Sequence, residues 1–200
     1  MSHPSIVLSS PAPNVQFKYY VADRRAQTAR LRAAEICLEV SLILPHPVRE
    51  VWPIFADFNR WQGRFGFVWD GLPANNEDHV LHLSNTPGAN DLNYDLDGAR
   101  TEYIVRKVVP ESLIYFDSLP EAVTGKDCVW TGHNVMSLKE EHGQTRITIF
   151  MEHTWYSETM SIEDLRAEAK GVLDSGLDFW RDYFIPDLIA AVESTSAERA

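Results

Sequence analysis

Cysteine is scarce in this sequence, with only Cys37 and Cys128 among 200 residues. The two lie far apart along the chain and outside any Cys-x-x-Cys spacing. They therefore supply neither a disulfide framework nor a cysteine-rich zinc site, and we expect no metal centre. Both should be reduced residues that pack in the interior.

Basic residues and long apolar runs are scarce as well. The 18 Lys and Arg are outnumbered by 29 Asp and Glu, which gives a formal net charge of −11. This balance argues against nucleic acid or an anionic membrane surface as the principal partner, whereas a neutral or cationic small molecule fits it. No apolar run approaches the roughly 18 residues that cross a bilayer, and residues 1–13 lack the features of a secretory signal. We expect a cytoplasmic protein without membrane insertion.

The motifs of nucleotide and serine-hydrolase chemistry are absent from the sequence. It contains no Gly-x-Gly-x-x-Gly, no Walker loop, no Gly-x-Ser-x-Gly and no kinase signature. We therefore expect no cofactor. What is present is 44% hydrophobic residues, 11% of the chain being aromatic, which is enough to bury one sizeable core.

Composition divides the chain into three parts. Residues 1–35 form an N-terminal extension, in which the Ala/Arg-rich stretch 23–35 has no Gly or Pro and should be helical. Residues 36–192 form the main domain, and residues 193–200 a flexible tail. A homodimer, if one forms, would use the extension.

Hydrophobic periodicity predicts the order of elements in the main domain. Residues 36–44 favour a strand, and residues 48–55 have apolar side chains at helical spacing. The last element, 161–192, has the apolar stripe of a long amphipathic helix whose regular part Pro186 should bend or end. Strand-like segments between them are 65–72, 80–83, 98–109, 112–119, 129–140 and 145–156.

Short junctions between these segments favour antiparallel pairing. The apolar face of such a sheet must be covered, and only the final helix is long enough to cover it. We therefore predict an α+β fold, with a curved antiparallel sheet wrapped around a long C-terminal helix and space between them.

Two stretches make the sequence resemble the START-like, or SRPBCC, superfamily of lipid-transfer proteins and polyketide cyclases/dehydratases. They are EVSLIL at 39–44 and PVREVWPIFADFNRW at 47–61, supported by a hairpin pattern at 143–148. The resemblance covers residues 36–192 and implies a helix-grip fold with a hydrophobic cavity. It implies no shared catalytic residues. The extension and a polar insertion at 74–97 depart from the family pattern.

Two histidines are the candidate catalytic residues. Alternation along segment 145–156 places His153 on the apolar face with Trp155, and His133 lies close to its expected hairpin partner. If both point inward, they form a polar pair whose desolvation favours the neutral, base-competent form. The alternative is one core histidine and one surface histidine.

Other residues are candidates for ligand contact because an aromatic ring presents a large apolar body, sometimes with a polar tip. Gly176 on the inner stripe of the long helix is a further candidate, since glycine in a helix interior suggests that room is kept. The full predicted set is Trp69, Tyr94, Tyr103, Tyr115, Met151, Trp155, Gly176 and Trp180. An inward carboxylate among Glu102, Asp117 and Glu152 would have a raised pKa and could act as general acid, although alternation directs Glu152 to the solvent.

Three functions fit these residues. The first is binding of a hydrophobic small molecule, aromatic, polycyclic or lipid-like, between the sheet and the C-terminal helix. The second is a metal-free and nucleotide-free cyclase, dehydratase or lyase that uses a cavity histidine as general acid or base. The third is a protein-interaction module that uses the N-terminal helix.

Overall fold

The structure is a computed structural model that describes residues 6–9, 15–25, 31–63, 67–72, 77–85, 100–123 and 125–197. Within these ranges, ten strands form one antiparallel sheet. In chain order they are β1 (Ile6–Ser9), β2 (Gln16–Arg25), β3 (Arg32–Leu44), β4 (Phe67–Asp70), β5 (Val80–Asn85), β6 (Arg100–Val109), β7 (Leu113–Ser118), β8 (Glu121–Ala122), β9 (Val129–Glu141) and β10 (Gln144–Ser157). Their spatial order is β1-β2-β3-β10-β9-β7-β6-β5-β4, and β8 pairs with the start of β9.

The turn between β9 and β10 determines which residues of the two strands face each other. His142 and Gly143 both adopt left-handed φ values, 54° and 76°, as a two-residue turn that matches the twist of a hairpin requires. The resulting register pairs His153 with Gly132 and Glu152 with His133. The two candidate histidines therefore lie on opposite faces of the sheet, because successive side chains of a strand alternate.

The helix predicted at 23–35 is wrong wherever the structure describes it. β2 continues to Arg25 and β3 begins at Arg32, and these two residues pair with each other. Helix propensity contributes little free energy per residue. Here the pairing of β3 with β2 and β10, together with the burial of Ala33 and Ala34, outweighs it. The extension thus contributes strands to the sheet, while the division of the chain at residue 35 stays a prediction.

Four α-helices accompany the sheet in the described part of the chain: α1 (Val48–Phe55), α2 (Asn59–Gln62), α3 (Ile162–Phe179) and α4 (Ile185–Ala197). α3 begins after Ser161, whose hydroxyl accepts a hydrogen bond from the Asp164 amide at 3.0 Å. Its buried stripe packs on β3 and β10, as predicted. The stripe consists of Leu165, Ala169, Leu173 and Leu177.

The C-terminal helix is interrupted close to its proline. A π-helical turn, Trp180–Phe184, separates α3 from α4, and Pro186 follows in the first turn of α4. Proline lacks an N–H and its ring crowds the carbonyl four residues earlier, so a wider turn before it relieves the clash. The predicted interruption exists, but it precedes Pro186, and α4 continues to Ala197, into the segment predicted to be a tail.

The predicted α+β, helix-grip architecture is confirmed: the antiparallel sheet holds α3 on one face. α1 and α2 pack against α4 and close one end of the core. Trp61 joins these parts, since its indole lies 5.9 Å from the Trp180 ring and its Nε1 donates a hydrogen bond to the Phe55 carbonyl. No helix in the described ranges combines the length and apolar character that crossing a membrane requires.

Candidate functional site

A cavity of about 600 Å³ lies between α3 and the inner face of the sheet. Aromatic side chains from strands and helix supply much of its wall. They are Phe67, Trp69, Tyr103, Phe116, Trp130, Trp155, Phe179, Trp180 and Phe184. A close-packed interior leaves few voids larger than a water molecule, so a space of this size is large enough to admit a small molecule.

Three residues of the cavity lining are exposed to solvent, and they show where the cavity opens. These are Ala122 at the end of β8, and Ala167 and Gly171 on α3. An ion pair crosses this edge, with Lys126 Nζ 3.3 Å from Glu168 Oε2. The opening therefore lies between the loop after β8 and the middle of α3.

His153 is a polar residue of the cavity lining that contacts two of the aromatic side chains. Its ring centroid lies 5.2 Å from that of Trp130 and 6.1 Å from that of Trp155. Burial, together with the nearby His133, lowers the pKa of His153 to about 4, so the imidazole is neutral at pH 7. None of the described residues hydrogen-bonds to its buried Nε2.

Gly132 provides the space that the His153 ring occupies. A Cβ at position 132 would lie 2.5 Å from Cδ2 and 2.9 Å from Nε2 of His153. Every other residue type carries that atom, so the imidazole fits over β9 only because its cross-strand partner is glycine. Sequence analysis could not identify Gly132, because its role depends on the hairpin register.

Two further polar side chains of the lining have buried atoms that form no hydrogen bond within the described structure. Asn134 is 4% exposed and its Nδ2 has no hydrogen-bond partner there. Glu121 Oε2 is likewise buried without one, and burial raises the pKa of this carboxyl although a hydrogen bond from Thr101 opposes the shift. Glu121 is thus an inward carboxylic side chain, whereas the candidates Glu102, Asp117 and Glu152 do not line the cavity.

The outer face of the sheet carries His133, Asp117 and Tyr115, which the sequence offered as candidates for the cavity. His133 is 48% exposed, and its Nδ1 lies 2.7 Å from Asp117 Oδ1. Arg106 Nε donates to Asp117 Oδ2 at 2.8 Å. Burial opposes the change, but these hydrogen bonds lower the pKa of Asp117. Tyr115 shares this face, because alternation along β7 directs Ile114 and Phe116 inward instead.

Most of the predicted ligand-contact residues line this one cavity. Tyr94 lies outside the described residues, and Tyr115 and His133 do not reach the cavity. Glu102 is exposed and Glu152 lies on the outer face beside His133. The cavity lining contains the rest of the predicted set, namely Trp69, Tyr103, Met151, His153, Trp155, Gly176 and Trp180.

One group of possible metal ligands occurs among the described residues, away from the cavity. Oxygen and sulfur atoms of Glu35, Cys37 and Glu152 lie within 4.8 Å of one another on the outer face of β3 and β10. The Cys37 thiol donates to Glu35 Oε1 at 3.8 Å, so sulfur serves here as a hydrogen-bond donor. This contact accounts for the proximity of the thiol and the carboxylate without an ion.

Together, the sheet, the gripped helix and the cavity between them define the class of this protein: it has the START-like helix-grip fold. No protein-family model matches the sequence, and no curated protein does. Among solved structures, norcoclaurine synthase from Thalictrum flavum superposes with a TM-score of 0.52 at 9% identity, over 88% of this chain and 95% of the synthase. A protein from Mesorhizobium loti superposes with a TM-score of 0.51 at 14% identity, over 82% and 98%. At these identities the likeness shows the fold.

Proposed function

We propose that this protein binds a neutral aromatic or polycyclic small molecule in the cavity between α3 and the sheet. The observation that supports the proposal is the cavity of about 600 Å³ whose wall includes nine aromatic side chains. This volume lies within the range of small-molecule sites, and aromatic walls with a few polar groups are typical of them. Flat ligand rings would pack against the indoles of Trp130 and Trp155.

Charge favours a neutral ligand over an anion. The lining includes two carboxylic side chains, Glu121 and Glu168, and the protein carries a formal net charge of −11. The cation at the opening, Lys126, is paired with Glu168. An anion entering this site would lose its hydration and meet acidic groups.

The same fold accommodates aromatic molecules elsewhere. Norcoclaurine synthase from Thalictrum flavum has been solved in complex with dopamine and hydroxybenzaldehyde, and that structure superposes with a TM-score of 0.50 at 9% identity, over 84% of this chain and 90% of the synthase. This example illustrates the class of ligand but says nothing about the residues of this chain.

A thermal denaturation series tests the proposal. Naphthalene should raise the Tm progressively as its concentration passes Kd, because a ligand that binds only the folded state stabilises it by mass action. Naphthalene-2-sulfonate, with the same rings and a negative charge, should raise the Tm less. An unchanged Tm up to the solubility limit of naphthalene would refute the proposal.

An enzyme of the cyclase, dehydratase or lyase kind is the second candidate. The buried Nε2 of His153, which has no hydrogen-bond partner in the described structure, supports it, because a general base needs a free nitrogen in reach of the substrate. The pKa of about 4 argues against it, since a general base works best with a pKa near the working pH. Simple binding is therefore the better supported function.

The enzyme hypothesis makes a kinetic prediction. If a substrate is turned over, His153→Ala should lower kcat by about 10²- to 10⁴-fold, the usual contribution of a positioned general base. The circular dichroism spectrum would show whether the variant is still folded. Equal turnover by a folded variant would remove His153 from the mechanism.

A further inference from the structure

We infer that the ligand carries a hydroxyl group on its aromatic ring system, placed to hydrogen-bond with Asn134 and His153. The inference rests on the proposed function, because it concerns the ligand of the same cavity. It adds a chemical requirement that an apolar wall alone does not set.

The first observation is the position of the two polar side chains. His153 pairs with Gly132 and Met151 with Asn134, so the histidine and the asparagine are diagonal neighbours on the inner face of β9 and β10. Diagonal neighbours in a sheet lie about 7–8 Å apart, which leaves room for one oxygen atom between two side chains that lean together. Both residues line the cavity.

The second observation is that both side chains offer a buried polar atom. Neither Asn134 Nδ2 nor His153 Nε2 is hydrogen-bonded within the described part of the chain. Leaving such an atom buried and unpaired is costly, and an apolar residue of similar size would avoid the cost. Two such atoms on diagonal neighbours that line one cavity point to a bound group that satisfies them.

A hydroxyl is the group that satisfies both atoms. The Asn134 Nδ2 group can only donate, so it requires an acceptor oxygen. A neutral imidazole donates or accepts at Nε2 according to its tautomer, and a hydroxyl can do either in return. A carbonyl matches only one tautomer. A carboxylate would bring a negative charge into a cavity that the carboxyl group of Glu121 also lines.

The aromatic character of the ring that carries the hydroxyl follows from the neighbours of His153. Trp130 and Trp155 flank the imidazole, with ring centroids at 5.2 and 6.1 Å. Offset packing between flat rings is favourable at such separations. A phenol-like ligand places its hydroxyl in the plane of its ring, so the ring can lie along the indoles while the oxygen reaches the two polar atoms.

Calorimetric titration with three probes tests this inference. The three probes share one ring system and differ in the hydrogen bonds that they can form. Naphthalene can form none, 2-methoxynaphthalene can only accept, and 2-naphthol can both accept and donate. We expect 2-naphthol to bind the wild-type protein about tenfold more tightly than naphthalene, with 2-methoxynaphthalene between them. Asn134→Leu and His153→Phe should each bring the ratio of 2-naphthol to naphthalene affinity close to one.

A matched control introduces the same side chain one position further along β9. Val135→Leu alters the outer face of the sheet and should keep the preference for 2-naphthol. The inference is overturned if 2-naphthol and naphthalene bind the wild type equally, or if Asn134→Leu keeps the full preference. Failure of naphthalene itself to bind would instead refute the proposed function.

The stability of the free protein gives an independent readout. Asn134→Leu should raise the Tm without ligand, because it removes a buried donor that the rest of the described structure does not satisfy. A lowered Tm would show that the amide serves the fold, and it would overturn the assignment of Asn134 to the ligand.

Discussion

The half-buried imidazole of His153 is desolvated and neutral, so acid should destabilise the fold through this residue. Its pKa is about 4 in the folded state, against an ordinary value of 6.5. Between pH 6.5 and 4 the unfolded chain therefore binds a proton that the folded protein does not. The free energy of unfolding should fall across this window, by about 3 kcal/mol in total, and this residue should contribute nothing further above or below it.

Urea denaturation of the wild type and of His153→Phe at several pH values measures this contribution. The carboxylates titrate alike in both proteins, so their effect cancels in the difference. The stability of the variant relative to the wild type should rise as the pH falls from 6.5 to 4. Parallel stability curves would show that His153 titrates normally in the folded protein.

Gly132 and His153 should be energetically coupled. Gly132→Ala places a methyl group 2.5 Å from the imidazole, and we expect it to cost about 1–3 kcal/mol of stability through overpacking. In a His153→Ala background the same substitution should cost much less, because the ring is gone. A double-mutant cycle by chemical denaturation yields the coupling, and additive effects would contradict the packing described for this pair.

The sequence predicts individual residues of the site only as far as strand alternation allows. The period of two along β10 is sufficient to place His153 and Trp155 on one face. It does not relate β10 to β9, since a shift of one residue in the register exchanges the faces of His133 and Asn134. The left-handed conformation of His142, a non-glycine residue, sets that register, and this conformation is not evident from the sequence.

At the scale of elements, the interior of α3 should tolerate side chains that the present sequence omits. Apart from its chain neighbours and the backbone of its own helix, no described heavy atom lies within 4 Å of the position that a Cβ at Gly176 would take. Gly176→Ala should therefore stabilise the free protein by about 0.5–1 kcal/mol through helix propensity. Gly176→Leu should also leave the fold intact, but its side chain should enter the cavity and weaken naphthalene binding.

Thermal melts of both variants with and without naphthalene separate the two effects. Gly176→Ala should retain the ligand-induced rise in Tm, and Gly176→Leu should lose most of it. Strong destabilisation of the ligand-free leucine variant would show that close packing, rather than open space, surrounds this position.

Elements with strong periodicity were predicted well from the sequence, and elements that depend on distant pairing were not. α1 and α3 follow from apolar residues at helical spacing, and the β6–β7 and β9–β10 hairpins follow from alternation with short junctions. The segment at 23–35 has the composition of a helix. Residues 32–35 form a strand there because they pair with residues 154–157 of β10, a long-range contact that local propensity does not report.

At the scale of the whole molecule, the fold explains why a cavity can persist in an otherwise packed core. The apolar stripe of α3 packs on β3 and β10, and the cavity lies beside this contact. The aromatic cluster around Trp61 closes one end, with Trp180 and Phe184 at ring-centroid distances of 5.9 and 6.2 Å. The apolar stripe therefore anchors α3 on the sheet along its length, while Gly171 and Gly176 of the same helix border the cavity.

The most direct test of this account is a crystal structure of the protein saturated with 2-bromonaphthalene, in which anomalous scattering locates the bromine. We expect the bromine between α3 and the sheet, with the ring system against Trp130 and Trp155. A bromine found only on the outer surface, or none in the cavity at a concentration that saturates binding in solution, would contradict it.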